Sequence, residues 1–248
     1  MKHYGVIFAI LLVLCCMCLP LAAQANPYSV ETIVIDDFDV EGAVDFTWGI
    51  SASESIYENE ETGEAYPKMI TVPGIPNSLK AYRKADAPEA MVMGIQTKFD
   101  RKGNNWFELY PQKEDEDGNL VPHEIELAGH VAFFDFWVWG AKYNYYLDVL
   151  IRDADGAVHV LPAGNLAFAG WKNLVINIPT SIRQESRLNS GPKSISFLGF
   201  RVRTDPNEYV DDFRVYFDQV RYNTHALDNI YDGYDLSSVD FEAEGGTN

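Results

Sequence analysis

The sequence is a succession of short β-strand patterns separated by turns, and this limits the folds that the chain can adopt. Runs of β-branched and aromatic residues recur along it, and no segment shows a long helical period of apolar residues. Clusters of Gly, Asn and Asp mark turns at residues 102–104, 117–119 and 153–156. About ten strands at this spacing predict an all-β fold, a two-sheet antiparallel β-sandwich. The predicted strands are residues 31–38, 44–50, 90–99, 106–110, 131–139, 143–152, 157–161, 171–178, 194–203 and 212–222.

In the last predicted strand, the apolar residues change from one face of the strand to the other partway along it. Phe213 and Phe217 lie on one face of a regular strand, with Val215 between them on the same face. Val220 and Tyr222 fall on the other face. Because a strict period of two cannot bury both sets, we predict a β-bulge close to residue 218.

The N-terminus has the pattern of an export signal. Lys2 precedes an apolar stretch from Val6 to Leu19, and the small residues Ala23 and Ala25 follow. The stretch is too short to cross a bilayer comfortably, and no later segment is apolar for long enough. We therefore expect residues 1–25 to be a cleaved signal peptide, with no membrane insertion of the remaining chain.

The cysteines of the sequence all lie in this N-terminal segment. They occupy positions 15, 16 and 18, so the exported chain has no disulfide and must be stabilised by its core. A lipid anchor on Cys15 or Cys18 is the competing interpretation. It is disfavoured because Leu14 and Met17 stand where a lipoprotein signal needs a small residue.

The rest of the chain is expected to form one domain. No internal repeat or linker divides it, so residues 26–236 are predicted to be a single β-sandwich. Residues 58–64 and 113–119 are acidic and lack core residues, which predicts solvated loops, and residues 237–248 are predicted to be a flexible acidic tail. The formal net charge of −18 disfavours nucleic acid and anionic lipid as partners and favours solubility or a cationic partner.

Motifs that carry catalysis are missing from the sequence. It has no phosphate-binding loop, dinucleotide fingerprint or nucleophile elbow, and its histidines are isolated, with His159 expected to face outward from a strand. A glycosidase would need two carboxylates about 5–9.5 Å apart in a cleft, and in so acidic a chain the pair Asp36-Asp37 indicates little. We predict no enzymatic activity and no cofactor.

A calcium site is the nearest approach to a metal motif. Asp115, Asp117 and Asn119 place oxygen-bearing side chains at alternate positions, but the bidentate Glu of a calcium loop is missing. An acidic hairpin turn is therefore the favoured interpretation. Nothing in the sequence requires a structural ion between Asp37 and Asp218, and no metal is predicted.

The most unusual segment is residues 133–139, which are apolar on both faces of a strand. Phe134 and Phe136 can face the core, and Trp137 and Trp139 then line the opposite side. An exposed aromatic face can stack on sugar rings or anchor a protein partner. The alternative is a central strand that is buried on both sides.

Candidate partner contacts follow from these aromatic residues and from the arginines. Trp137, Trp139 and Tyr146 are the aromatic candidates, because Trp and Tyr carry much of the binding energy at interfaces. The basic candidates are Arg201, Arg203 and Arg214, as an island for an acidic partner. The alternative is that these arginines only neutralise the aspartates at positions 212 and 218.

Several segments together resemble one protein family, the spirochaete flagellar filament outer-layer (sheath) proteins known as FlaA. The resemblance covers nearly the whole chain after residue 25 and is strongest from Val131 to Tyr222. The segments that carry it are Ile35-Asp36-Asp37-Phe38-Asp39, Trp137-Val138-Trp139-Gly140, Tyr143-Asn144-Tyr145-Tyr146-Leu147, residues 152–162, Gly170-Trp171-Lys172-Asn173-Leu174 with Ile178-Pro179, residues 199–206 and residues 211–219.

The resemblance implies a role and a location. Members of that family are exported proteins that coat the flagellin core of periplasmic flagella and influence filament shape, stiffness and motility. The partners implied are the flagellin core filament and other flagellar sheath proteins, and the location implied is the periplasm. Family members can be glycosylated, but this sequence contains no Asn-x-Ser/Thr sequon, so no glycan is predicted.

A secreted carbohydrate-binding module is the second hypothesis. Its fold would be the same, a jelly-roll sandwich of the galactose-binding-like type, so the fold cannot separate the two. The positions of Trp137, Trp139 and Tyr146 can separate the two hypotheses. Rings that face solvent in a groove with polar partners would favour sugar binding, and buried rings would favour a coat subunit.

Overall fold

The computed structural model describes residues 28–185 and 194–227, which form fifteen β-strands and one four-residue helix. The helix, α1 (Asn77–Lys80), lies in the connection between the fifth and sixth strands. The strands are β1 (Tyr28–Asp36), β2 (Thr47–Ala52), β3 (Glu58–Asn59), β4 (Glu64–Ala65), β5 (Lys68–Pro73), β6 (Met91–Thr97), β7 (Trp106–Glu114), β8 (Leu120–Pro122), β9 (Ile125–Glu126), β10 (His130–Ala141), β11 (Tyr145–Arg152), β12 (Val158–Asn165), β13 (Ala169–Asn177), β14 (Ser196–Thr204) and β15 (Phe213–Leu227).

Two sheets contain nearly all of these strands. Sheet A has the order β13-β10-β15-β6-β5, and β1 also pairs with β15. Sheet B has the order β12-β11-β14-β7-β2, with β8 beside β7 and β9 beside β14. The short strands β3 and β4 form a separate hairpin.

The pairing of eight strands defines a jelly roll. β6 pairs with β15, β7 with β14, β10 with β13 and β11 with β12, all antiparallel. These nested pairs alternate between sheet A and sheet B, which is the jelly-roll arrangement. β5 then extends sheet A beside β6, and β2 extends sheet B beside β7. The prediction of an all-β, two-sheet antiparallel sandwich of the jelly-roll type is confirmed.

The core lies between the sheets and consists of the inward-facing residues of each strand. Phe134 and Phe136 of β10 are buried there, as predicted, together with Phe200 of β14 and Phe217 of β15. The ring centroid of Phe200 lies 4.9 Å from that of Phe136 and 5.0 Å from that of Phe217. Burial of each such side chain contributes about 1.5–3 kcal/mol, which is how the sandwich is stabilised without a disulfide.

The predicted β-bulge in β15 is confirmed. Asp135 of β10 faces Arg221, but Trp137, two residues further on, faces Asp218, so β15 carries one extra residue at this point. Gln219 takes a positive φ of 51°, the left-handed conformation that the bulge requires. The bulge shifts the alternation of β15, so that Phe217 before the bulge and Val220 after it both face the core and are buried.

The short edge strands differ from the sequence predictions. Residues 58–64, predicted to be a solvated loop, contain β3 and the start of β4. β5 was not predicted, because Ile70 is exposed in it and prolines stand at positions 67 and 73, so its apolar residues do not alternate cleanly. Lys113 and Glu114 belong to β7, and only residues 115–119 form the turn of an acidic hairpin.

The predicted signal peptide, residues 1–25, and the predicted tail, residues 237–248, lie outside the described residues. Within residues 28–185 and 194–227, no helix is long and apolar enough to span a membrane.

Candidate functional site

The structure divides the six candidate contact residues between the two outer faces of the sandwich. Trp137, Trp139 and Arg214 lie on the outer face of sheet A, and Tyr146, Arg201 and Arg203 lie on the outer face of sheet B. The predicted island of three arginines is therefore wrong as a single patch. β14, which carries Arg201 and Arg203, and β15, which carries Arg214, belong to different sheets.

The outer face of sheet A carries a row of rings at neighbouring register positions, which we call the aromatic row. Trp171 of β13 pairs with Trp139 of β10, and Trp139 pairs with Tyr216 of β15. The row continues to Gly94 of β6 and Ile70 of β5. The rings of Trp139 and Tyr216 meet edge to face, with centroids 5.4 Å apart.

Glycine at position 94 makes room for one ring of the row. A Cβ atom added to Gly94 would lie 2.7 Å from Cε1 of Tyr216, so the tyrosine ring lies directly over the glycine backbone. The sheet surface is therefore flat at this point, and the ring packs against it rather than projecting into solvent.

The aromatic segment is not buried on both sides. Phe136 and Val138 of β10 are completely buried in the core, whereas Trp137 and Trp139 on the outer side are partly exposed. The Nε1 atom of Trp137 is itself buried and has no hydrogen-bond partner among the described residues. The structure thus places these two tryptophans at a surface, with part of each ring covered.

A shallow pocket of about 190 Å³ lies at the β15–β6–β5 end of the aromatic row. Tyr216 and Ile70 line it from the row, and Arg214, Gln96 and Lys68 line it from the next register positions. The pocket has an apolar wall formed by the row and a polar wall beside it. The guanidinium of Arg214 is within 3.0 Å of the Asp212 carboxylate, which confirms one of the two pairings expected for the arginines.

Asp218 is the cross-strand partner of Trp137, one register position along the sheet from the aromatic row, and it is only 2% exposed. Burial is the main cause that raises the pKa of Asp218 to about 7, and the nearby negative charge of Asp39 adds to it. The positive charge of Arg83 partly opposes this rise. Arg83 itself is bound to Asp39 at 2.8 Å. Among the ion pairs of the described residues, none involves Asp218, so the second expected arginine pairing is not present.

The outer face of sheet B is organised by ion pairs. Arg203 binds Asp148 at 2.6 Å, and Asp148 is only 1% exposed. Arg201 faces Asp148 on one side and Glu108 on the other, and its guanidinium pairs with Glu108. The carboxylate of Asp148 raises the pKa of Arg203, so the arginine is held in its charged form.

Tyr146 belongs to the same face, with the guanidinium of Arg203 5.8 Å from the centroid of its ring. The ring is exposed, in contrast to the partly covered tryptophans of sheet A. Its contact with Arg203 has cation–π geometry, which is worth about 0.5–1 kcal/mol at an exposed site. Tyr146 and the two arginines thus form one contiguous patch.

The acidic hairpin after β7 is a turn, as the sequence analysis favoured. Oδ1 of Asp115 accepts hydrogen bonds from the backbone N–H groups of Asp117 and Asn119, and these bonds lower the pKa of Asp115. In the part of the chain that the structure describes, no group of three or more His, Cys, Asp or Glu side chains could hold a metal ion.

His159 has a partner that its sequence position did not indicate. Its Nε2 atom lies 2.6 Å from Oδ2 of Asp153, in the turn between β11 and β12. Although burial alone would raise it, the pKa of Asp153 is lowered by His159 and by the N–H groups of Ala157 and Asp155. This pair closes the hairpin and does not face the aromatic row.

Sequence reasoning missed two rings of the row, Trp171 and Tyr216. Both lie in predicted strands, but their proximity to Trp139 depends on the register of β13 and β15 against β10. The signal that could have found them is an aromatic residue on the outer side of each of three strands.

The fold and its two faces define a class of protein: an antiparallel jelly-roll sandwich with aromatic and charged outer surfaces. The family model described as "Flagellar filament outer layer protein Flaa" matches residues 71–237. The chain belongs to this family of flagellar filament outer layer proteins. The resemblance that the sequence segments indicated is confirmed.

Two curated relatives agree with the family match. A protein of Brachyspira hyodysenteriae described as flagellar filament outer layer-like is 29% identical over 133 residues, covering 54% of this chain and 57% of that protein. The flagellar filament outer layer protein of Treponema pallidum is 36% identical over 138 residues, covering 52% of this chain and 37% of that protein. The matched region thus spans little more than half of one relative and about a third of the other.

Among solved structures, carbohydrate-binding modules of the β-sandwich type are similar. One is 10% identical with a TM-score of 0.45, covering 76% of this chain and 61% of that chain. The family 11 module of a cellulosomal cellulase from Clostridium thermocellum is 12% identical with a TM-score of 0.42, covering 82% of this chain and 99% of that chain. Both TM-scores lie below 0.5, so the sandwich assignment rests on the strand order given above.

Proposed function

We propose that this protein is a structural subunit of the outer layer, or sheath, of the periplasmic flagellar filament. In this role it coats the flagellin core and contributes to filament shape, stiffness and motility. The observation that carries the proposal is the family match over residues 71–237, which includes all eight strands of the jelly roll.

The two outer faces are suited to a layer. A coat subunit contacts the core beneath it and other subunits beside it, so it needs more than one contact surface. Here the aromatic row on sheet A and the Tyr146–Arg203 patch on sheet B point in opposite directions. The proposed partners are accordingly the flagellin core filament and other sheath proteins.

The proposed location is the periplasm, and the proposed role involves no catalysis. Residues 1–25 carry the export pattern described above, which agrees with a filament coat outside the cytoplasm. Assembly through surfaces needs neither a cofactor nor a metal.

Deletion of the gene tests the proposal. We expect electron microscopy to show periplasmic filaments that are thinner or differently curved, and swimming to be impaired, because the outer layer is incomplete. Re-expression of the full chain is expected to restore both, whereas a chain without residues 1–25 is expected to restore neither. Filaments of normal diameter and normal swimming in the deletion strain would contradict the assignment.

A further inference from the structure

The aromatic row has the dimensions of an extended binding site. It crosses five strands of sheet A, from Trp171 on β13 to Ile70 on β5. With neighbouring strands about 4.8 Å apart, the three rings span about 10 Å, and the register line that continues to Gly94 and Ile70 is about 19 Å long. It therefore fits a narrow chain of several small units better than a single compact ligand or a broad protein surface.

The rings supply a surface that is apolar and electron-rich. The face of an aromatic ring carries a partial negative charge, and the C–H groups on the flat side of a pyranose ring carry a partial positive charge. A sugar stacked on Trp139 or Trp171 therefore directs its hydroxyl groups outward, toward the two sides of the row.

Polar side chains stand at those two sides. Arg214, Gln96 and Lys68 occupy the neighbouring register positions on the β15–β6–β5 half of the row. Asn173 lies on the other side, beside Trp171, at the position that pairs with Trp137. Such a lining, aromatic in the middle and polar at the rim, is typical of sites that bind small molecules with hydroxyl groups.

The charges around the row are balanced within the protein. Arg214 pairs with Asp212 at 3.0 Å, and Lys68 is 4.0 Å from Glu64. An anionic ligand would have to compete with these carboxylates and approach a chain of net charge −18. Charge complementarity thus favours a ligand without formal charge.

We infer that the aromatic row is a binding site for a neutral oligosaccharide of pyranose rings, in which Trp139 and Trp171 provide the stacking surface. Tyr216, whose ring lies at 81° to that of Trp139, lines the adjacent pocket with Gln96 and Arg214, where hydroxyl groups of the saccharide are bound. This inference does not depend on the coat assignment, because it concerns the isolated protein.

Titration of the full chain with defined saccharides tests the inference. The probes are four neutral tetrasaccharides, namely cellotetraose, β-1,4-galactotetraose, β-1,4-mannotetraose and tetra-N-acetylchitotetraose, with tetragalacturonate as the anionic comparison. We expect saturable binding of at least one neutral probe, with a Kd between about 1 μM and 1 mM, measured by calorimetry and by a change in tryptophan fluorescence. Tetragalacturonate is expected to bind at least about tenfold more weakly.

Variants then locate the site. Trp139→Ala is expected to weaken binding at least about tenfold, because it removes one of the two stacking rings. Trp171→Ala, on the edge strand β13, is a second variant in case the first does not fold. Val160→Ala, at an exposed position on the outer face of sheet B, is the control and is expected to leave the Kd unchanged.

Three results would overturn the inference. The first is that no neutral probe binds at concentrations up to about 10 mM, well above the weakest affinity expected. The second is that folded Trp139→Ala and Trp171→Ala proteins bind as tightly as the original chain. The third is that tetragalacturonate binds as well as the best neutral probe.

Discussion

The outer faces of sheets A and B have the same strand alternation but different chemistry. On sheet B, Arg203 is bound to the buried carboxylate of Asp148, and Arg201 lies between that carboxylate and Glu108. On sheet A, aromatic rings occupy the middle of the face, and beside them the buried Asp218 has no ion pair among the described residues.

The difference concerns what each face does for the folded protein. On sheet B, Arg203 satisfies the carboxylate of Asp148 that the fold has buried, so it contributes to stability whether or not a partner is present. On sheet A, the buried carboxylate of Asp218 has a backbone hydrogen bond from Gln219 but no ion pair among the described residues, and the Nε1 atom of Trp137 has no hydrogen-bond partner there. Groups of this kind cost stability, and they are typical of surfaces kept for binding.

The largest expected contrast between the faces comes from reversing an arginine charge. Arg203→Glu places a second carboxylate beside buried Asp148, and we expect the free energy of unfolding to fall by about 3 kcal/mol. Arg214→Glu faces only the exposed carboxylate of Asp212, and we expect a loss below about 1 kcal/mol. Urea denaturation at pH 7 measures both.

Equal losses from the two reversals would contradict the contrast. Filament contacts of sheet B therefore need a variant that leaves these ion pairs intact. Reversal of both Arg201 and Arg203 would release the protein from filaments if they are contacts, but it would also disturb the fold through Asp148. Tyr146→Ala keeps the ion pairs of this face and is the better variant for that purpose.

A smaller effect is expected at Asp218 on sheet A. The pKa of an aspartate in an unfolded chain is about 3.9, whereas that of Asp218 is about 7 in the folded protein. Between these values the folded state holds a proton that the unfolded state has released. The free energy of unfolding therefore falls as the pH rises from about 4 to about 7 and then levels off.

Asp218→Asn removes this dependence, because the side chain stays neutral at every pH. We expect the variant to be more stable than the original chain at pH 8, where Asp218 is ionised, and to show a flatter pH profile in urea denaturation. Asp212→Asn, at an exposed position on the same face, is the control and should leave the profile unchanged. If Asp218→Asn keeps the original slope of the unfolding free energy against pH, another group is responsible for that slope.

The sequence allowed the local features of the fold to be predicted, because they depend on neighbouring residues. The alternation of Phe134 and Phe136 with Trp137 assigned the inner and outer sides of β10, and the change of phase after Phe217 indicated the bulge. The family resemblance also came from contiguous segments.

The candidate site could not be predicted in the same way, because it depends on contacts between distant residues. Arg201 and Glu108 are 93 positions apart, and Arg203 and Asp148 are 55 positions apart. The approach of Trp171 and Tyr216 to Trp139 likewise follows from register across three strands. Alternation within one strand gives the side on which a residue lies, but not the strand that lies next to it.

The most direct test of the coat assignment is quantitative mass spectrometry of periplasmic flagella purified from the organism that carries this gene. We expect this chain to be a major component of the intact filaments, at a constant ratio to flagellin across preparations. Its absence from purified filaments, with the protein recovered in other fractions, would contradict the assignment.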